Sequence, residues 1–291
     1  HHRPVIALAV HPDQRRLFSG SGDATIKAWR IPIEDHSIRV QAQLGSENPI
    51  EALSRMTIED SGRQLYAGTL DGQLLTIDKA GRRAVGVQSI GNSQIMTLAP
   101  VPGSGHIVAG CRNGRVLVWD PEKKQARHTL QAHEGITYCV AVSGDGRRLA
   151  TGGQDRKVHL WDLDSGRRIH ELSWPGQSVH ALSFHPNGNL VAGAGQFGKL
   201  DEESIILWNC QDGSVAQTFV APGSLRSYCV TFSHNGGSLA AGDSQGMITV
   251  WNVKTGEIQS NCSGHALGVR SLQFSPDGHR LASSGDDGSI R

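Results

Sequence analysis

Apolar and polar positions alternate along this chain in short bursts. LAVHPDQ from Leu8, VAVSGDG from Val140, LSFHPNG from Leu182, VTFSHNG from Val230 and LQFSPDG from Leu272 each open with an apolar alternation and close in a tight turn. A second apolar segment follows each of them: RLFSGS, RLATGG, NLVAGA, SLAAGD and RLASSG. A third ends at a tryptophan in ATIKAW, GRVLVW, RKVHLW, SIILW and MITVW, and a fourth, such as RRIHEL or SVAQTF, completes the unit. Alternation with period two over such short lengths reads as half-buried strands. The Asp-Gly and Asn-Gly pairs between them supply the positive φ angles that close hairpins. No window sustains a 3.6-residue period, so the pattern predicts an all-β chain with almost no helix.

The units recur at a fixed interval. Trp119 and Trp161 are 42 residues apart, and Trp208 and Trp251 are 43 apart, within the period of about 40–45 expected for a four-stranded propeller blade. Between Trp29 and Trp119 there is room for one further unit, whose GQLLTID puts Ile77 in the tryptophan place, and DDGSIR starts another after Trp251. One small sheet cannot cover both its faces, whereas sheets stacked around an axis cover each other. The spacing therefore predicts a seven-bladed β-propeller of four-stranded antiparallel blades, one domain over residues 1–291, with the last blade lacking its outer strand. An open edge strand invites aggregation. The expectation is thus a parent chain that continues past Arg291, or also precedes His1, and closes the ring.

Composition narrows the function. Glycine is high, 36 of 291 residues, as many tight turns require. Lys and Arg number 28 against 27 Asp and Glu, too balanced for a nucleic-acid partner. No apolar run approaches the ~18 residues of a membrane span, and the start carries no signal-peptide pattern. A cytoplasmic protein without membrane or nucleic-acid partners is expected, its propeller monomeric. The five cysteines are odd in number and form no C-x-x-C pair, and Cys139 and Cys229 fall at equivalent places in two units. Buried free thiols in a reducing compartment are the expectation.

Gly264-His265, SPDG from Ser275 to Gly278, LASSGDDGSI from Leu281 to Ile290 and Trp161-Asp162, linked at fixed spacing, resemble the signature of the tryptophan–aspartate (WD) repeat β-propellers. The resemblance covers the whole chain. It implies a hydrogen-bonded tetrad in each regular blade: a His before the first strand, a Ser or Thr in the second, an Asp in the next turn, and the Trp. His133, Thr151, Asp155 and Trp161 complete one set, and His1, Ser19, Asp23 and Trp29 another. His265, Ser283 and Asp287 form a third set without its Trp. Indole only donates, carboxylate only accepts, and hydroxyl and imidazole do both, so such a chain satisfies every buried polar group. Units with Ala67, Ala109 and Ala241 at the hydroxyl place are expected to be held by packing alone.

Several motifs resemble chemistry without fitting it. His133, Thr151 and Asp155 have the composition of a nucleophile with its base and orienting acid, but the hydroxyl would lie mid-strand rather than in a cleft. Gly193, Gly195 and Gly198 match G-x-G-x-x-G, yet a strand follows where a dinucleotide fold needs a helix. His11 and His185 sit in His-Pro turns, and no H-E-x-x-H accompanies the histidines. No catalytic residue, cofactor or metal is expected. Trp174, in a loop between units, reads equally as an interface anchor or as packing on the next blade.

In the resembled family, first strands line a central channel and the tetrad end is the usual binding face. Tyr138, His180, Tyr228 and Arg270 share one place near the start of a first strand and should ring the channel mouth, with Arg112, Arg156 and Arg226 in nearby loops. Aromatic and guanidinium groups dominate interface energies. The expected function is a non-enzymatic scaffold that binds a protein or peptide of anionic or mixed character. The alternatives are a regulatory or sensor module fused to a catalytic domain outside this chain, and a propeller enzyme with a site in the channel. Two longer loops, Gln196 to Glu203 and Ile31 to Ser37, are candidates for further contacts.

Overall fold

Alternation becomes pairing in the unit that begins at Thr137. Its strands Thr137–Val142, Arg148–Gly153, Lys157–Asp162 and Arg168–Ser173 pair antiparallel in sequence order. Between the first two, Gly146 takes φ +70° and its N–H bonds the Ser143 carbonyl at 2.9 Å. Asp145 accepts from the Ser143 hydroxyl and the Arg147 N–H. The two middle strands are almost wholly buried, and the outer strand is largely exposed. A strand covered on both faces reads as a continuous apolar or small-residue run, as RLATGG does.

The computed structural model describes all residues except 12–15, 24, 31–38, 45–52, 59–63, 78–83, 198–204, 224–225 and 276. Within the described residues every regular element is a strand, and the chain forms six four-stranded antiparallel sheets followed by one two-stranded sheet. The inner strands are Val5–Val10, Leu53–Ile58, Ile95–Pro100, Thr137–Val142, Ser178–Phe184, Ser227–Phe232 and Val269–Phe274. Each contacts the inner strand of the next sheet, and the last contacts the first. This is a β-propeller with four-stranded blades. The expected third strand of the last unit is a single bridge between Ser284 and Ile290. The last sheet is therefore Val269–Phe274 with Leu281–Gly285 alone.

The core is divided among the spaces between sheets rather than gathered at the centre. Leu160, Leu172 and Cys139 of the fourth sheet pack against Val191, Ile206 and Trp208 of the fifth. Leu207 and Phe219 of the fifth meet Phe232 and Trp251 of the sixth. The same holds around the ring, down to a small cluster of Val5, Leu8 and Leu17 with Ala282 and Ile290 between the last sheet and the first. A glycine near the end of the second strand sets the close approach. A Cβ on Gly68, Gly110, Gly152 or Gly242 would come within 3.0 Å of Ile95, Thr137, Val179 or Val269 on the next inner strand. In the last sheet that place is Ser284, whose hydroxyl donates to the Val5 carbonyl at 3.1 Å and joins the two ends of the ring.

Three expectations need correction or limits. Cys111, Cys139, Cys210 and Cys229 are buried free thiols, and burial pushes Cys111 and Cys210 up to about 11. Cys262 differs: it ends the outer strand Ile258–Cys262, all of whose residues face solvent. Ile31 to Ser37 and most of Gln196 to Glu203 lie outside the described residues. Trp174 is no exposed anchor. It is 3% exposed, with ring centroids 4.7 Å from Phe197 and 6.1 Å from Trp208. Gly193 occupies the tetrad hydroxyl place of that blade, and a Cβ there would strike Trp208 at 2.6 Å. The missing side chain makes room for two indoles.

Candidate functional site

The structure brings the tetrads together. Trp161 Nε1–H donates to Thr151 Oγ1 at 3.1 Å, Thr151 Oγ1 lies 2.9 Å from His133 Nε2, and His133 Nδ1 lies 2.9 Å from Asp155. With a donor-only indole at one end and an acceptor-only carboxylate at the other, the order is fixed: indole to hydroxyl, hydroxyl to imidazole, imidazole to carboxylate. The Glu134 N–H adds a second bond to Asp155 at 3.1 Å. Burial alone would raise the Asp155 pKa, but the bonds from His133 and Glu134 outweigh it and hold the carboxyl below its usual range. His1, Ser19, Asp23 and Trp29 repeat the chain at 2.7–3.2 Å. His265 bonds Ser283 at 2.9 Å and Asp287 at 3.0 Å. Thr151 has no exposed surface, so the triad-like set meets no substrate.

One blade without a hydroxyl, that of Ala109, is not held by packing alone. In the third sheet Trp119 Nε1–H donates to Gln88 Oε1 at 2.7 Å, and Gln88 Nε2 donates to the Pro121 carbonyl at 3.0 Å. Gln88 belongs to the outer strand of the second sheet, Ala84–Ser89. The indole that lost its partner within the blade found one across the blade boundary.

His159 stacks on the tetrad His133, centroids 4.8 Å apart and planes 3° from parallel. Burial first, then His133 and Arg168, push its pKa down to about 4, while Glu171 at 3.3 Å pulls the other way. In the unfolded chain the imidazole takes a proton near 6.5. Between those values the unfolded state binds the extra proton, so this contribution to stability is full above pH ~6.5 and is lost as pH falls towards ~4. At about 1.4 kcal/mol per unit the loss is about 3–4 kcal/mol. Urea titrations across that range should show it, and His159→Gln should flatten the slope.

The channel mouth is built by a repeated irregularity. In all seven inner strands the register shifts near the start, at Ile6, Ser54, Met96, Tyr138, His180, Tyr228 and Arg270. A bulge bends the strand and re-aims the side chain it frees. Tyr138, His180, Tyr228 and Arg270 line a cavity of about 280 Å³ bounded by inner strands, and successive members touch. Tyr138 and His180 are 5.1 Å apart, His180 and Tyr228 are 5.8 Å apart edge-on, and the Arg270 guanidinium lies 3.9 Å over the Tyr228 ring. Ser178 Oγ, 3.0 Å from His180 Nε2, orients the imidazole.

Two guanidinium groups flank Tyr228. Arg226 sits 5.8 Å from the ring, reaches the Tyr228 hydroxyl at 3.3 Å and donates to Gln196 Oε1 at 2.7 Å. Arg270 donates to both oxygens of Asp286, at 2.8 and 2.7 Å. Burial would lower the Arg270 pKa, but the bonds to Asp286 and its charge outweigh this and raise it. Arg112 and Arg156 are exposed in second-to-third-strand turns, outside the cavity lining. Sequence reasoning missed Ile6, Ser54 and Met96, although positions 54, 96, 138 and 180 stand 42 apart, as do 228 and 270. Gln196 and Asp286 carried no signal, because their role rests on which arginine they meet. Among the described residues no three His, Cys, Asp or Glu side chains converge as a metal site requires.

Blades stacked around an axis, an indole–hydroxyl–imidazole–carboxylate chain, and a bulge at the head of each inner strand define a WD-repeat β-propeller. A family model described as "WD domain, G-beta repeat" matches residues 1–30. The chain belongs to the WD-repeat propellers and, within them, to the family described as "IFT122 first beta-propeller", whose model matches residues 94–291. Among curated proteins, a rice small ribosomal subunit protein RACK1y is 32% identical over 60% of this chain and 51% of its own length. A Dictyostelium discoideum periodic tryptophan protein 2 homolog is 30% identical over 78% of this chain and 24% of its own. Drosophila groucho is 26% identical over 66% of this chain and 26% of its own. The chain thus matches about half, or about a quarter, of these relatives.

Proposed function

We propose that residues 1–291 form one seven-bladed domain acting as a non-enzymatic, monomeric, cytoplasmic scaffold that docks a protein or peptide on the channel mouth. The observation that carries this reading is the arc of Tyr138, His180, Tyr228 and Arg270 with Arg226 beside it. Large aromatic rings and guanidinium groups, fixed on rigid strands and half-exposed, form the composition of an interface hot spot. Relatives named as a ribosomal subunit protein and as an snoRNP-associated protein fit an assembly role. Their names also make RNA-containing complexes the context to test, although the balanced charge of this chain favours protein over nucleic acid as the direct contact. The relatives' greater length supports a second reading, as a regulatory module within a longer protein.

The test is affinity capture with the intact protein, wild type against a Tyr228→Ala/Arg270→Ala double variant, with retained proteins quantified by mass spectrometry. Loss of two interface anchors is expected to reduce specific capture by about tenfold or more. Undiminished capture removes this face as the docking surface.

A further inference from the structure

The two arginines beside Tyr228 are held differently. Gln154, Gln196 and Asp286 occupy one equivalent place in the second-to-third-strand turns of their blades; Gln154 accepts from the Ile136 N–H at 3.4 Å, while the other two meet arginines. Gln196 meets Arg226 with a neutral amide, through one bond at 2.7 Å. Asp286 meets Arg270 with a carboxylate, through two bonds at 2.8 and 2.7 Å that occupy Nε and Nη2. A bidentate carboxylate is the natural ligand of a guanidinium fork, and here the chain supplies it from its own turn. Asp286 thus takes the Nε–Nη2 edge of Arg270, the edge held beside the Tyr228 ring, whose centroid lies 3.9 Å from the guanidinium.

We propose that the channel mouth takes an acidic peptide side chain, and that Asp286 is an internal competitor which occupies the Arg270 fork until that side chain displaces it. This rests on the reading of the mouth as a docking surface. Counted together, Arg226, Arg270 and Asp286 leave one positive charge beside two tyrosines and a histidine, which favours an anion over a cation. The pairing makes affinity for an acidic ligand lower than the two arginines would give, and makes it selective. A weak or monodentate anion does not displace a bidentate carboxylate, whereas an Asp or Glu side chain supplies the same fork geometry and adds contact with the Tyr228 ring. The alternative occupant, a nucleic-acid phosphate, would need further cations along its path.

Fluorescence anisotropy with labelled polyglutamate, polylysine and a short single-stranded RNA, at low ionic strength where charge contacts are least screened, tests the idea on the whole chain. Asp286→Asn, an amide like those at 154 and 196, is expected to bind polyglutamate about fivefold more tightly than wild type, and Arg270→Gln about tenfold more weakly. Gln196→Glu installs a second competitor on Arg226 and is expected to weaken polyglutamate binding about threefold, so the test survives if Asp286→Asn fails to fold. Polyglutamate affinity that is unchanged or lower in Asp286→Asn, with Arg270→Gln still impaired, overturns the competitor and leaves the acidic-peptide site standing. Tighter binding of RNA or of polylysine than of polyglutamate overturns the ligand class. If neither wild type nor Asp286→Asn binds polyglutamate, the inference falls, while capture lost in the Tyr228→Ala/Arg270→Ala variant still upholds the docking face.

Discussion

Thr151→Val should destabilise the protein by about 3 kcal/mol, because the isosteric methyl leaves two buried groups, the Trp161 N–H and His133 Nε2, without partners, at about 1–3 kcal/mol each. Both groups lose their bonds at 3.1 and 2.9 Å to a hydroxyl with no exposed surface, so water cannot replace it. Thr151→Ser should cost less than ~1 kcal/mol, since it keeps the hydroxyl, and Ser19 and Ser283 fill the same place in the other two sets. Urea denaturation of the two variants decides the matter. Equal losses would mean that the methyl, and not the hydrogen-bond chain, holds the blade.

Gly195→Ala is expected to cost about 3 kcal/mol, at the upper end of what overpacking does. The added Cβ would lie 2.1 Å from the Ser178 carbonyl oxygen and 3.0 Å from the Trp174 ring, so either the first two strands of the fifth sheet separate or the indole leaves its seat. A lowered melting temperature, with a red shift of tryptophan emission as Trp174 meets water, is the expected signature. Gly103→Ala is the contrast: φ is +71° with nothing within 4 Å, so only backbone strain of about 1 kcal/mol applies. A Gly195→Ala loss no larger than that of Gly103→Ala would show that the strand yields. The same clash explains the G-x-G-x-x-G pattern. Gly193 and Gly195 are small because indoles and a carbonyl crowd them, not because a phosphate does.

Strand order, turn chemistry and the tetrads were legible because each is a local rule repeated. A residue such as Thr151 is fixed by its offset from Trp161, and repetition of that offset separates signal from chance. The clustering of Tyr138, His180, Tyr228 and Arg270 was legible for the same reason: one place per unit is one place on the ring. What escaped was contact between positions outside the repeated offsets. Trp119 with Gln88, Trp174 in the gap left by Gly193, and Asp286 on Arg270 are each set by three-dimensional proximity between positions that no period relates. The exposed Cys262 was misread because its outer strand, Ile258–Cys262, faces solvent along its whole length, unlike the outer strands that bury Leu130, Leu172 and Phe219. The last unit shows the limit of counting segments: a motif is present in sequence, yet three residues hold only one bridge.

The register slip at the head of each inner strand separates what the molecule is from what it can recognise. The bulge recurs whatever residue occupies it: isoleucine, methionine, tyrosine, histidine and arginine all sit there on the same frame. If the mouth is the docking face proposed above, those seven letters can be rewritten one at a time, altering the partner while the architecture underneath stays as it was.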